Sequence, residues 1–205
     1  MGSFGSNNKP IWTKAGLSAL SALNYVKACE DQDELLQIVL NGKLDQYKEE
    51  ALKKIKDKAV LKDLAKKLDD NNLAIKALLY AEDEAGLKEL VSKTDFTSSM
   101  CLAIDGIHDE DFLFEFAKAN EKNSDVLTAC VKKINHQAYL SELGKKWNPF
   151  AACVIAEKTE DVALLKHIVS SYSDEPPHPG QFYPLVQAEN KAHETAQKRL
   201  DALKS

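Results

Sequence analysis

An aspartate recurs along this 205-residue chain at nearly constant spacing. Asp31, Asp57, Asp83, Asp109 and Asp161 occupy five of six anchor positions, and His136 fills the remaining slot. The successive steps are 26, 26, 26, 27 and 25 residues. A period of this size marks an array of small supersecondary units, each too short to bury its own apolar face.

The residues around each anchor say what the unit is. Four positions after it stand Leu35, Leu61, Leu87, Leu113, Leu140 and Leu165. Three further on stand Ile38, Leu64, Leu90, Phe116, Leu143 and Ile168, and next to these Val39, Ala65, Val91, Ala117, Gly144 and Val169. Those intervals place apolar side chains on one face of a helix. A second stripe precedes the anchor: Tyr25-Val26, Ala51-Leu52, Ala77-Leu78, Ala103-Ile104, Cys130-Val131 and Ile155-Ala156, each followed by Cys29, Ile55, Ala81, Ile107, Ile134 or Thr159. Each unit therefore reads as helix A, a tight turn at the anchor, and helix B.

Turn chemistry fits this division. An aspartate at the start of helix B can accept a bond from an orphan amide of the first turn. At Asp31 the spacing to Glu34 suggests a capping box. His136 is a poorer cap, so its turn should be the weakest. Starts of helix A are expected at Asp45, Asn71 or Asn72, Ser98 or Ser99, Ser124, and Asn148 followed by Pro149. Gly42 suits the end of the first helix B.

These units resemble HEAT-like repeats, including the short bacterial kind. The resemblance rests on Ala51-Leu52, Ile55, Asp57, Leu61 and Leu64, and on Ala103-Ile104, Ile107, Asp109, Leu113 and Phe116. Variant leucine-rich repeats are a neighbouring group. The resemblance implies an all-α, right-handed α-solenoid of about six helix pairs, with the B helices lining its concave side. The expected organisation is a tail over residues 1–13, the array over 14–172, a proline-rich loop over 173–182 and a C-terminal helix over 183–205. Ile11 and Trp12 are candidates to cover the first helix, and the last helix either caps the array or leaves it.

Charge and motif content narrow the function. The formal net charge is −5, and Arg199 is the sole arginine. Arginine's planar fork is the usual grip on phosphate and guanine, so nucleic-acid binding is not expected. No apolar run is long enough to span a bilayer, the N-terminus lacks a signal pattern, and a cytoplasmic protein is the expectation. Met1-Gly2-Ser3-Phe4-Gly5-Ser6 fits a myristoylation pattern, with no polybasic or palmitoylation signal beside it. Cys29, Cys101, Cys130 and Cys153 fit no metal template and read as reduced, mostly buried thiols. No cofactor and no metal are implied.

Helix B carries the candidate binding residues. Six positions after each anchor stand Gln37, Asp63, Glu89, Glu115, Glu142 and His167, an acid in four successive units. One position earlier stand Leu36, Lys62, Lys88, Phe114, Ser141 and Lys166, so that Phe114 is an aromatic ring at an otherwise largely polar station. Phe112, Phe114 and Tyr139 beside Glu115 and Glu142 form the expected hot spot, with Glu89 and Asp63 extending the acidic row. Exposed ion pairs bind weakly, so the rings would carry the affinity, at about 1.5–3 kcal/mol per buried ring. The expected activity is non-enzymatic binding of a protein or peptide, a basic one fitting the acids. The alternative is an enzyme or lyase-like factor with a polar pocket near His108 and His136.

Overall fold

The computed structural model describes residues 18–146, 148–172 and 183–204. The expected N-terminal tail with Ile11, Trp12 and the myristoylation pattern lies outside the described residues, as does the proline-rich loop with His178. The described residues are all-helical: α1 (Ala19–Ala28), α2 (Gln32–Asn41), α3 (Asp45–Leu52), α4 (Lys58–Lys67), α5 (Asn71–Tyr80), α6 (Glu84–Val91), α7 (Thr97–Ile104), α8 (Glu110–Ala119), α9 (Ser124–Lys133), α10 (Gln137–Gly144), α11 (Pro149–Lys158), α12 (Val162–Ser170) and α13 (Tyr183–Ala202). By packing, the chain divides into two compact units, Met1–Thr94 and Asp95–Ser205. The first holds α1–α6 and the second α7–α13.

Each anchor lies at the N-terminus of an even-numbered helix. The Asp31 carboxylate accepts from the amides of Asp33 and Glu34 at 2.9 and 3.0 Å, and Asp109 does the same for Asp111 and Phe112 at 3.0 and 3.1 Å. Asp57, Asp83 and Asp161 also cap their helices. His136 makes no side-chain cap bond, as its chemistry predicts. The capping box at Asp31 takes a different form. Glu34 accepts the Tyr25 hydroxyl at 2.7 and 2.8 Å, which ties helix B back to helix A. The Tyr25 pKa is pushed up to about 12, first by that bond, then by burial and the carboxylate charge.

Helix A starts shift by a residue from some expectations. Asp70 rather than Asn71 caps α5, Asn123 rather than Ser124 caps α9, and α7 begins at Thr97. Asn148 caps α11 with Pro149 in its first position, as expected. Gly42 ends α2 at an ordinary negative φ. A Cβ there would lie 2.5 Å from the Ile38 carbonyl oxygen, so glycine is required by crowding. Among the described non-glycine residues, Glu82 is left-handed, at φ 53°. It sits in a Schellman turn closed by Asp83 N–H to Leu78 O and Glu82 N–H to Leu79 O.

The two stripes meet in the core. All six leucines that follow the anchors by four are buried, as are Val26, Leu52, Leu78, Ile104, Val131 and Ala156 before them. In the first unit α1 packs on α3, α3 on α5, α2 on α3 and α4 on α5. In the second, α7 packs on α9, α9 on α11, and α10 touches both α8 and α12. Helix α13 packs on α11 and α12, burying Ala192, Ala196 and Leu200, while His193 stacks on Tyr172 at 4.5 Å. It covers the last pair and does not leave it.

Polar side chains tie successive pairs together in a repeated register. After four of the anchors, the next residue reaches the following pair's turn. Gln32 accepts from the Lys56 amide and donates to the Lys54 carbonyl; Gln137 accepts from Glu160 and donates to Lys158 in the same way. Lys58 pairs with Glu82, and Glu110 accepts from the amides of Asn135 and His136 at 2.9 and 2.8 Å. A second set acts three residues before the anchor. The Lys54 ammonium donates to the Lys27 carbonyl, Lys133 to Asp105, and Lys158 to Val131, Lys132 and Ile134. Cations suit these helix C-termini. Burial holds the Lys158 pKa below the usual lysine value.

Candidate interaction surface

The candidate residues lie on the even-numbered helices, and the acids among them stand opposite the buried leucines. At the sixth station Gln37, Asp63, Glu89, Glu115, Glu142 and His167 are all exposed. The carboxylates are not a bare acidic row. Asp63 faces Lys66 at 3.8 Å, Glu89 faces Lys93 at 2.6 Å, and Lys118 sits between Glu115 at 3.5 Å and Glu142 at 3.3 Å. The Lys93 partner holds the Glu89 carboxyl below its usual value, and the Glu142 bond leads in raising Lys118.

The structure places the expected ring of Phe114 differently. It is only 7% exposed and stacks on Tyr139 with centroids 4.2 Å apart, while the Lys118 ammonium lies 4.8 Å from its centroid. Phe114 is thus a packed ring under a cation, and the outer faces of the cluster belong to half-buried Tyr139 and Phe112. Phe112 stacks on Phe116 at 5.7 Å and His136 leans on Tyr139 at 4.3 Å. The Tyr139 hydroxyl donates to Asp111, and that bond, with burial and the carboxylate charge, raises its pKa. The cluster brings Phe112, Phe114, Glu115, Tyr139 and Glu142 into one region of the second unit. Asp63 and Glu89 belong to the first.

Two grooves open beside these stations. In the first unit a 510 Å³ groove runs between α4, α5 and α6. Leu68, Leu78 and Leu90 give it apolar walls, and Lys62, Lys66, Lys93, Asp83 and Glu89 line its rim. Gly86 lets α6 close on α5 here: a Cβ would lie 2.8 Å from Leu78. In the second unit a 240 Å³ groove is built from Leu127 and Leu143 under Lys118, Lys122, Lys146, Glu121 and Glu142. Measured from their anchors, Lys66 and Lys118 hold the same station, as do Glu89 and Glu142, and Lys93 and Lys146. These lysines were not among the expected binding residues. Their signal is in the sequence, as lysines nine or ten residues after an anchor.

The alternative site finds less support. His108 and His136 are both exposed, and among the described residues no group of three His, Cys, Asp or Glu side chains could hold a metal ion. Cys29, Cys101, Cys130 and Cys153 are free thiols, three of them buried. Burial pushes the Cys130 thiol up to about 12, which leaves it a poor nucleophile. Among the described residues no helix is long and apolar enough to cross a membrane. No family model matches the chain, and no match is found among curated proteins or solved structures.

Proposed function

We propose that the chain is a non-enzymatic binding module for a protein or peptide, working in the cytoplasm on a right-handed α-solenoid of about six HEAT-like helix pairs. Its binding face is the exposed side of the B helices, on the concave side of that solenoid. One observation carries the reading. The sixth station is exposed in all six pairs, on helices whose opposite stripe is buried, and a 510 Å³ groove lies beside it. Volumes of this order suit recognition of several side chains. The 26-residue period and the pair-to-pair ties at equivalent stations support the array.

Site-specific photocrosslinking tests the face. A benzoylphenylalanine placed in turn at Asp63, Glu89, Glu115 and Glu142 should trap the same macromolecule from an extract of the source cells. The same group at Lys132, exposed on α9, should not. Equal trapping from Lys132, or none from the four B-helix positions, removes the reading.

A further inference from the structure

The two grooves carry charge against the trend of the whole chain. The chain is acidic, yet each groove sets three ammonium groups against two carboxylates. In the first unit Lys62 is held by Asp83 at 3.4 Å and Lys93 by Glu89 at 2.6 Å. Asp83 is further committed to capping α6. That leaves Lys66, whose side chain is 78% exposed and whose carboxylate neighbour, Asp63, stands 3.8 Å away outside the groove wall. In the second unit Lys118 is held by Glu142 and Lys146 by Glu121, and Lys122 is the third cation. The same three-to-two balance arises twice, with Lys66 and Lys118, Lys93 and Lys146, and Glu89 and Glu142 at shared stations and the third cation at a different one.

We propose that the groove between α4, α5 and α6 binds an acidic, leucine- or phenylalanine-bearing peptide segment of a partner protein. This rests on the binding-module reading above and replaces the basic partner that the acidic row alone suggested. The apolar side chain enters between Leu68, Leu78 and Leu90, and a flanking carboxylate meets Lys66 at the rim. A basic segment has no such fit, since Asp83 and Glu89 already face lysines. The second-unit groove offers the same pairing in a smaller space.

Selection of random 16-residue peptides on phage against the full chain tests this. Enriched peptides should carry net negative charge and a large apolar residue. Their binding, read by fluorescence anisotropy, should weaken with salt. Lys66→Glu should weaken it about tenfold, with Lys66→Met, which keeps the stem, in between. Circular dichroism of both variants should match the parent. Acidic peptides indifferent to both substitutions overturn the assignment. Basic peptides lost on Glu89→Lys overturn it and leave the binding-module reading standing, whereas no enrichment of any peptide removes both. Displacement of the selected peptides by laurate at comparable affinity would give the groove to a small carboxylate and overturn the peptide.

Discussion

The turns before α8 and α10 do the same job with different parts. At the first, Asp109 caps its own helix, satisfying the amides of Asp111 and Phe112. At the second, His136 caps nothing, and the preceding pair supplies the acceptor. Glu110 reaches across to the amides of Asn135 and His136, just outside the helix the histidine leaves uncapped. Where glutamine holds the Glu110 station, as at Gln32 and Gln137, one amide group both accepts from the next turn and donates to its carbonyl. A carboxylate cannot donate. In its turn the Asn135 side chain serves the Lys133 carbonyl at 3.4 Å. The difference teaches that a turn in such a chain need not be self-sufficient, because its polar needs are met by whichever neighbour reaches it.

That contrast makes Glu110→Ala the most damaging of the turn substitutions. It strips charge-assisted bonds from a turn with no cap of its own, at an expected cost of about 2 kcal/mol. Asp109→Ala removes an ordinary N-cap and should cost about 1 kcal/mol. Urea unfolding of the two variants measures the gap. An equal or larger loss from Asp109→Ala would break the comparison.

A double-mutant cycle sharpens it. His136→Asp gives the turn a cap but sets a new carboxylate beside Glu110. In the parent the two effects should nearly cancel, to within about 0.5 kcal/mol. With Glu110→Ala in place, the same substitution should recover about 1 kcal/mol. Equal effects in both backgrounds would show that Glu110 and position 136 do not share the turn.

Much of this fold is legible before any coordinates. The buried leucines after each anchor and the capping aspartates follow from period and chemistry alone. So does the missing cap at His136. Two things are not so readily read. Phe114 looks like a solitary ring on a polar face, because its station otherwise holds Lys62, Lys88, Ser141 and Lys166 beside a single Leu36; only space shows that Tyr139 of the next pair covers it. The row of acids looks bare because its lysines lie three or four residues on, or in the neighbouring pair, as Lys118 does for Glu142. Contacts between pairs are invisible to a search confined to one unit. The station after the anchor shows how they become visible. It reads Gln32, Lys58, Glu84, Glu110 and Gln137, then Val162 in the last pair, and it stays polar only where another anchored pair follows.

The smallest effect separates charge from shape at Glu110. Burial pushes its carboxyl up, but the Asn135 and His136 amides and the Asn135 side chain together outweigh burial and hold it below the ordinary carboxylate value. A group whose folded pKa is depressed contributes stability above its unfolded pKa and loses it as pH falls through the folded one. Glu110→Gln keeps an acceptor and gains the donor that Gln32 and Gln137 use, so at pH 7 it should cost under about 1 kcal/mol. That difference should hold down to about pH 5 and close on further acidification, as the parent carboxylate takes up its proton. Denaturation midpoints of both proteins from pH 7 to 3 measure it. A gap that stays flat or widens toward acid would mean that the ionised carboxylate is not what holds this turn, and that the Asn135 side chain or the packing of Tyr139 on Phe114 does so instead.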